Sequence, residues 1–108
     1  MLIYQYNLIC SMTIKKSSIL FNVLGNDIRF KIVNHLASGE KCVCNIFKFL
    51  GLAQNLVSHH LAILRENNLI VDRKDGKWVY YSLNKKTLKE LKKVLDSILN
   101  TKNNNSIC

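Results

Sequence analysis

Proline is missing from the chain altogether, and there are only four glycines in 108 residues. Polyproline recognition tracts, collagen-like repeats and Gly-rich linkers are therefore excluded. Turns must be made by a few glycines together with Asn and Asp. Acids are scarce too: seven Asp and Glu stand against 16 Lys and Arg, a net charge of +9 with His neutral. Such an excess suits a polyanionic partner, above all nucleic acid. No apolar run reaches the ~18 residues that a membrane span needs. The opening MLIYQYNLIC lacks the positive n-region of a signal peptide. A cytoplasmic chain with no membrane partner is expected. There is no phosphate-cradling Gly loop, no Cys-x-x-Cys and no evident base beside a cysteine, so the chain does not read as an enzyme.

What is present is enough for one domain with a modest core: 48% of residues are hydrophobic and 21% charged. The charge is uneven. Residues 84–102 hold six Lys and two acids, whereas residues 40–83 hold six bases and four acids. The basic excess does not by itself mark one element, and much of it is the solvated face of a helix. Four cysteines in a cytoplasmic chain are more often metal-binding, reactive or buried than disulfide-bonded.

Residues 1–12 show no clear period and read as an N-terminal arm, with Met12 as an alternative start. Ile14, Leu20, Phe21, Val23 and Leu24 suggest a first helix. Gly25, Asn26 and Asp27 interrupt it and offer an N-cap to a second helix, which turns Ile28, Ile32, Val33 and Leu36 inward and ends near Ser38 and Gly39. Val43, Ile46, Phe47 and Leu50 follow at helical spacing, until Gly51 stops the pattern. After the turn of Gly51, Leu52 and Ala53, a further helix begins at Gln54 and closes at Asn67 and Asn68. Two helices joined by a tight Gly-containing turn make a helix-turn-helix. Two apolar-rich runs, LIVDR and KWVYYSL, then flank an Asp75-Gly76 turn, a β-hairpin signal. The tip is basic, and Trp78, Tyr80 and Tyr81 are read as core packing in preference to base stacking. A last helix over 85–101 carries Leu88, Leu91, Val94, Leu95, Ile98 and Leu99 as one stripe, read as a dimer seam. The tail TKNNNSIC is polar and expected to be disordered.

The helix over 54–66 is the element that the rest serves. Val57, Leu61 and Leu64 form an apolar row, with Leu56, His60 and Ile63 beside it. Gln54, Asn55, Ser58, His59, Ala62 and Arg65 fall on the opposite side. That side is short-chained and polar, and Gln and Asn can pair the edges of an adenine in a major groove. An ordinary solvated face has the same look, so the surroundings must decide.

Those surroundings resemble the ArsR/SmtB winged-helix metalloregulators over about residues 17–100. The carriers are Leu24-Gly25 with Arg29, CVC at 42–44, GL-x-Q-x-x-VSHHL at 51–61, LRE at 64–66 and DRKDGKWVYYSL at 72–83. The resemblance implies a mainly α winged helix-turn-helix with a β-hairpin wing, dimerising through its terminal helices. The division is a winged-helix DNA-binding domain over 13–101, with helix-turn-helix 42–67, wing 69–83 and dimer helix 85–101, and a tail over 102–108. It implies a homodimeric transcriptional repressor of double-stranded operator DNA that needs no cofactor to bind. Gln54, Asn55, Ser58 and His59 are the groove contacts carried over, and Arg73 and Lys77 the wing contacts. Ala53 departs from the usual Ser or Thr cap, and Asn55 from a common proline. The lost cap should cost about 1 kcal/mol.

In this family a CVC at that position marks sensors of arsenite and antimonite, or of cadmium and lead. Soft thiolates select thiophilic ions. Cys42 and Cys44 are thus the implied metal(loid) ligands. Where the arsenic-type pattern continues CVCDLC, this chain has Asn45 and Phe47, so two thiols and a hydroxide would hold arsenite, or Cys10 would supply a third thiol as in the cadmium and lead branch. Cys108 is a further alternative. Two small buried apolar residues are the plainer reading of the pair. A thiol redox or persulfide switch on the same fold is another, disfavoured by the strain of so close a disulfide. On a helix, residues i and i+2 point about 200° apart. An ion gripping both is therefore expected to unwind the first turn. The closing helix contains no His, so the family's other metal site is expected to be absent. His35 and His60 read as partly buried polar residues rather than ligands.

Overall fold

The computed structural model describes residues 13–100. In chain order the elements are α1 (Ile14–Leu24), α2 (Asp27–Leu36), β1 (Lys41–Cys42), α3 (Val43–Leu50), α4 (Gln54–Glu66), β2 (Ile70–Asp75), β3 (Trp78–Leu83) and α5 (Lys85–Leu99). Among the described residues no helix is long and apolar enough to cross a membrane. Cys10 and Cys108, the arm over 1–12 and the tail from 101 onward lie outside the described residues.

The chain divides into two compact units, residues 22–84 and the terminal segments that flank them. Within 22–84, α2 and α3 both pack on α4, and α4 packs on β2. The core is made by Ile32, Leu36, Ile46, Val57, Leu61, Leu64, Leu69 and Ile70, all buried. Three local devices set this path. The side chain of Asn26 accepts from the N–H groups of Ile28 and Arg29 and caps α2. Gly51, at φ +65°, ends α3 in the left-handed region with its N–H on the Phe47 carbonyl. Asn68, at φ +60°, turns the chain out of α4 into β2.

The sheet has three antiparallel strands in the order β1-β3-β2. Its hairpin closes one residue later than expected: Asp75 pairs with Trp78, so Gly76 and Lys77 make the two-residue turn. Gly76 alone has positive φ there, at +61°, which fits a turn with Gly at its first central position. Strand β1 was not foreseen. Two residues long, it exists only through its pairing with β3, Lys41 opposite Tyr81 and Cys42 opposite Tyr80.

In the terminal unit, Leu20 and Leu91 are buried, as are Ser17 and Thr87. Ile14, Ile19, Phe21, Leu95, Ile98 and Leu99 are exposed. Ile14, Phe21, Val94 and Ile98, with Ser17, Ser18 and Ser97, line an open apolar groove of about 360 Å³.

Candidate DNA-reading face and thiol site

Helix α4 presents its polar side as the sequence implied. Gln54, Asn55, Ser58 and His59 are all exposed, while Val57, His60, Leu61 and Leu64 are buried beneath them. Leu56 departs from its expected row: it is 39% exposed and lies on the outer surface. Ala53 stands at the N-cap and makes no side-chain hydrogen bond. The side chain of Asn55 accepts from the N–H of Leu56 at 2.9 Å instead.

The floor of this helix is fixed by a polar clamp. Arg29 donates through Nε to the carbonyl of Val23 at 2.7 Å and through Nη1 to Nδ1 of His60 at 3.2 Å. A guanidinium has no acceptor, so Nδ1 of His60 must be the unprotonated nitrogen. Burial, then the neighbouring Arg29 and His59, hold the pKa of His60 below its ordinary 6.5. His60 is thus a satisfied core residue joining α2 to the underside of α4. His35 is half-buried: its ring stacks on Phe49 at 3.9 Å, and its Nε2 meets Oδ1 of Asn45 at 2.9 Å.

The wing carries Lys74 and Lys77 exposed at its tip, with the ammonium of Lys77 5.3 Å from the Trp78 ring centroid. Trp78 is 46% exposed, against the core packing expected for it, whereas Tyr80 and Tyr81 are half-buried. Arg73, the other wing residue the resemblance pointed to, is ion-paired. Its Nε and Nη2 donate to the two carboxylate oxygens of Glu40 at 3.1 and 2.8 Å. Its guanidinium lies 4.6 Å from the Tyr80 ring centroid.

The thiols overturn the geometry expected of them. Cys42 is not helical. It ends β1 and forms the N-cap of α3 in extended conformation, at φ −65° and ψ 145°. Cys44 sits in the first turn of α3, and its Sγ donates to Sγ of Cys42 at 2.8 Å. The 200° divergence of i and i+2 on a helix never arises, because only one of the two residues is on the helix. The pair therefore converges with the first turn of α3 intact. The Cys44 thiol lowers the pKa of Cys42, helped by the N–H groups of Cys44 and Asn45, although none of these closes into a capping bond. The same contact, then burial, raises that of Cys44. The two thiols therefore titrate as a pair, the loss of one proton opposing the loss of the other. Cys42 is half-buried and Cys44 exposed, so neither is a sealed core residue. Among the described residues no third His, Cys, Asp or Glu joins them.

The family described as bacterial regulatory protein, arsR family, matches residues 26–71. The arsenical resistance operon repressor of Staphylococcus aureus is 33% identical over 97 residues, which cover 90% of this chain and 92% of that protein. The arsenical resistance operon repressor of Escherichia coli (strain K12) is 48% identical over 65 residues. That match covers 59% of this chain, which spans only 56% of the E. coli protein. Among solved structures, the transcriptional regulator HlyU of Vibrio vulnificus CMCP6 superposes with a TM-score of 0.64 at 33% identity, covering 78% of this chain and 88% of that one. Helix-turn-helix, three-stranded wing and these matches agree: the chain belongs to the arsR family of bacterial regulatory proteins, winged-helix regulators rather than enzymes.

Proposed function

We propose that this protein is a homodimeric, DNA-binding transcriptional repressor that a thiophilic metal(loid), arsenite or antimonite first, releases from its operator. The observation that carries this reading is the convergence of Cys42 and Cys44 where β1 runs into α3, the helix packed against α4. Gln54, Asn55, Ser58 and His59 would read the major groove, and Lys77 would meet phosphate. The exposed apolar residues of the terminal helices supply the seam between two copies, which would set two copies of α4 about one turn of DNA apart.

The mechanism follows from where the two cysteines stand. An ion held by both thiols would fix the separation of the two sulfurs. Cys44 is part of α3, so a change in that separation would load the start of the helix and, through its packing, the set of α4. With arsenite, each thiol gives up a proton to a leaving hydroxide as water, and a remaining hydroxide completes the arsenic.

The test is release of a promoter fragment, ion by ion, from reduced wild type, Cys42→Ser and Cys10→Ser. Loss of response to arsenite in Cys42→Ser alone supports a two-thiol site. Loss in both variants, with cadmium or lead the better inducer, transfers the reading to a three-thiol site that includes Cys10. Release by peroxide but by no ion would make the pair a redox switch, in which two thiols yield a disulfide and the peroxide is reduced to water.

A further inference from the structure

Three side chains from three strands stand in one row across the sheet: Cys42 opposite Tyr80, and Tyr80 opposite Arg73. Directly opposed residues of a ladder project from the same face, and the guanidinium of Arg73 indeed lies over the Tyr80 ring. With strands about 4.8 Å apart, the backbone of Arg73 is only about 10 Å from that of Cys42. Glu40, two residues before Cys42, closes the row by its two-point contact with Arg73. Asp75 stands 4.0 Å from the remaining nitrogen, Nη1.

This is a poor setting for a phosphate ligand. The guanidinium has an aromatic ring beneath it and a carboxylate on either edge, so the group of three carries a net negative charge. A phosphate would have to displace Glu40, which already holds the guanidinium at two points. Lys77 differs: among the described residues it makes no ion pair.

We propose that Arg73 is a positioning residue, not a phosphate ligand. Its clasp on Glu40 ties the wing to the residue that leads into the strand carrying Cys42, so that the wing feels ion capture at the thiol pair. This rests on the function proposed above. An ion held by Cys42 and Cys44 would load β1 and, next to it, Glu40, and the clasp resists the shift. Coupling of this kind is reciprocal: a bond that resists ion capture weakens ion binding, and a captured ion weakens the bond.

The experiment uses the full chain, reduced, as wild type, Arg73→Gln, Glu40→Gln and the swapped pair Glu40→Arg with Arg73→Glu. Operator affinity is measured against salt concentration, and cadmium affinity by thiolate-to-metal absorbance. The Arg73→Gln variant should keep the wild-type salt slope, whereas loss of one phosphate contact lowers it by about one unit, as Lys77→Gln should. Both single variants should bind cadmium about threefold tighter, and the swapped pair should return to the wild-type value. A slope reduced by about one unit in Arg73→Gln, or cadmium affinity unchanged in both single variants, overturns the proposal. Wild-type protein that takes up no thiophilic ion ends the proposed function itself. The salt slope of Arg73→Gln involves no ion and still separates the two roles of the arginine.

Discussion

Helix α4 buries Val57, His60, Leu61 and Leu64 along one side, whereas the wing beyond Ile70 buries no residue fully and is bound by cross-strand rings and exposed ion pairs. Both present residues expected to meet DNA. The helix is set by apolar packing, which salt and small charges hardly alter. The wing is set by contacts of a kind worth little in water and sensitive to what lies nearby. A regulator that must hold one reading surface steady and let another respond can divide the work in this way.

The sharpest way to break that contrast is to truncate each region. Leu64→Ala, at a fully buried site, should lower stability by about 3 kcal/mol in chemical denaturation. Trp78→Ala, at a half-exposed one, should cost about 1 kcal/mol or less. Equal losses would show the wing to be as deeply anchored as the helix. Next in size, Ala53→Ser supplies α4 with the side-chain cap it lacks and should raise stability by about 1 kcal/mol. Lys77→Gln should leave stability within about 0.5 kcal/mol of wild type and weaken operator binding only a few-fold at moderate salt.

The smallest effect concerns the clamp under α4. Burial holds the pKa of His60 below 6.5. Above pH 6.5 the ring is neutral in folded and unfolded chains alike, and its contribution is complete. As pH falls below 6.5 the unfolded chain takes up the proton first, so stability declines until pH passes the folded pKa. A denaturation series from pH 7.5 to pH 5 should show this decline, and His60→Gln should flatten it.

Most of the helical frame was legible because its signals are local. The Asn26 cap, the Gly51 stop and the period of Val57, Leu61 and Leu64 each lie within one or two turns of what they control. The hairpin was visible too, although Asp75-Gly76 misplaced its turn by one residue, since cross-strand pairing rather than dipeptide preference chose the register. What stayed hidden depends on distant partners. Strand β1 is two residues that become a strand only beside Tyr80 and Tyr81. Without it, CVC looked wholly helical and its sulfurs seemed to diverge. Glu40 and Arg73 are 33 positions apart, so no spacing rule could join them, and Arg73 read simply as a wing contact. His60 was read correctly as a core residue, but its partner Arg29, 31 positions away, was not foreseen.

One corner sets how α4 leaves α3, and it makes a demand of an unusual kind. A β-carbon built on Gly51 would meet no atom within 4 Å, so the site has room for a side chain. Only the torsion at φ +65° resists one, and it does so by mirror sense rather than by volume. In a chemically synthesised chain, D-alanine at position 51 should therefore strengthen the fold while L-alanine weakens it.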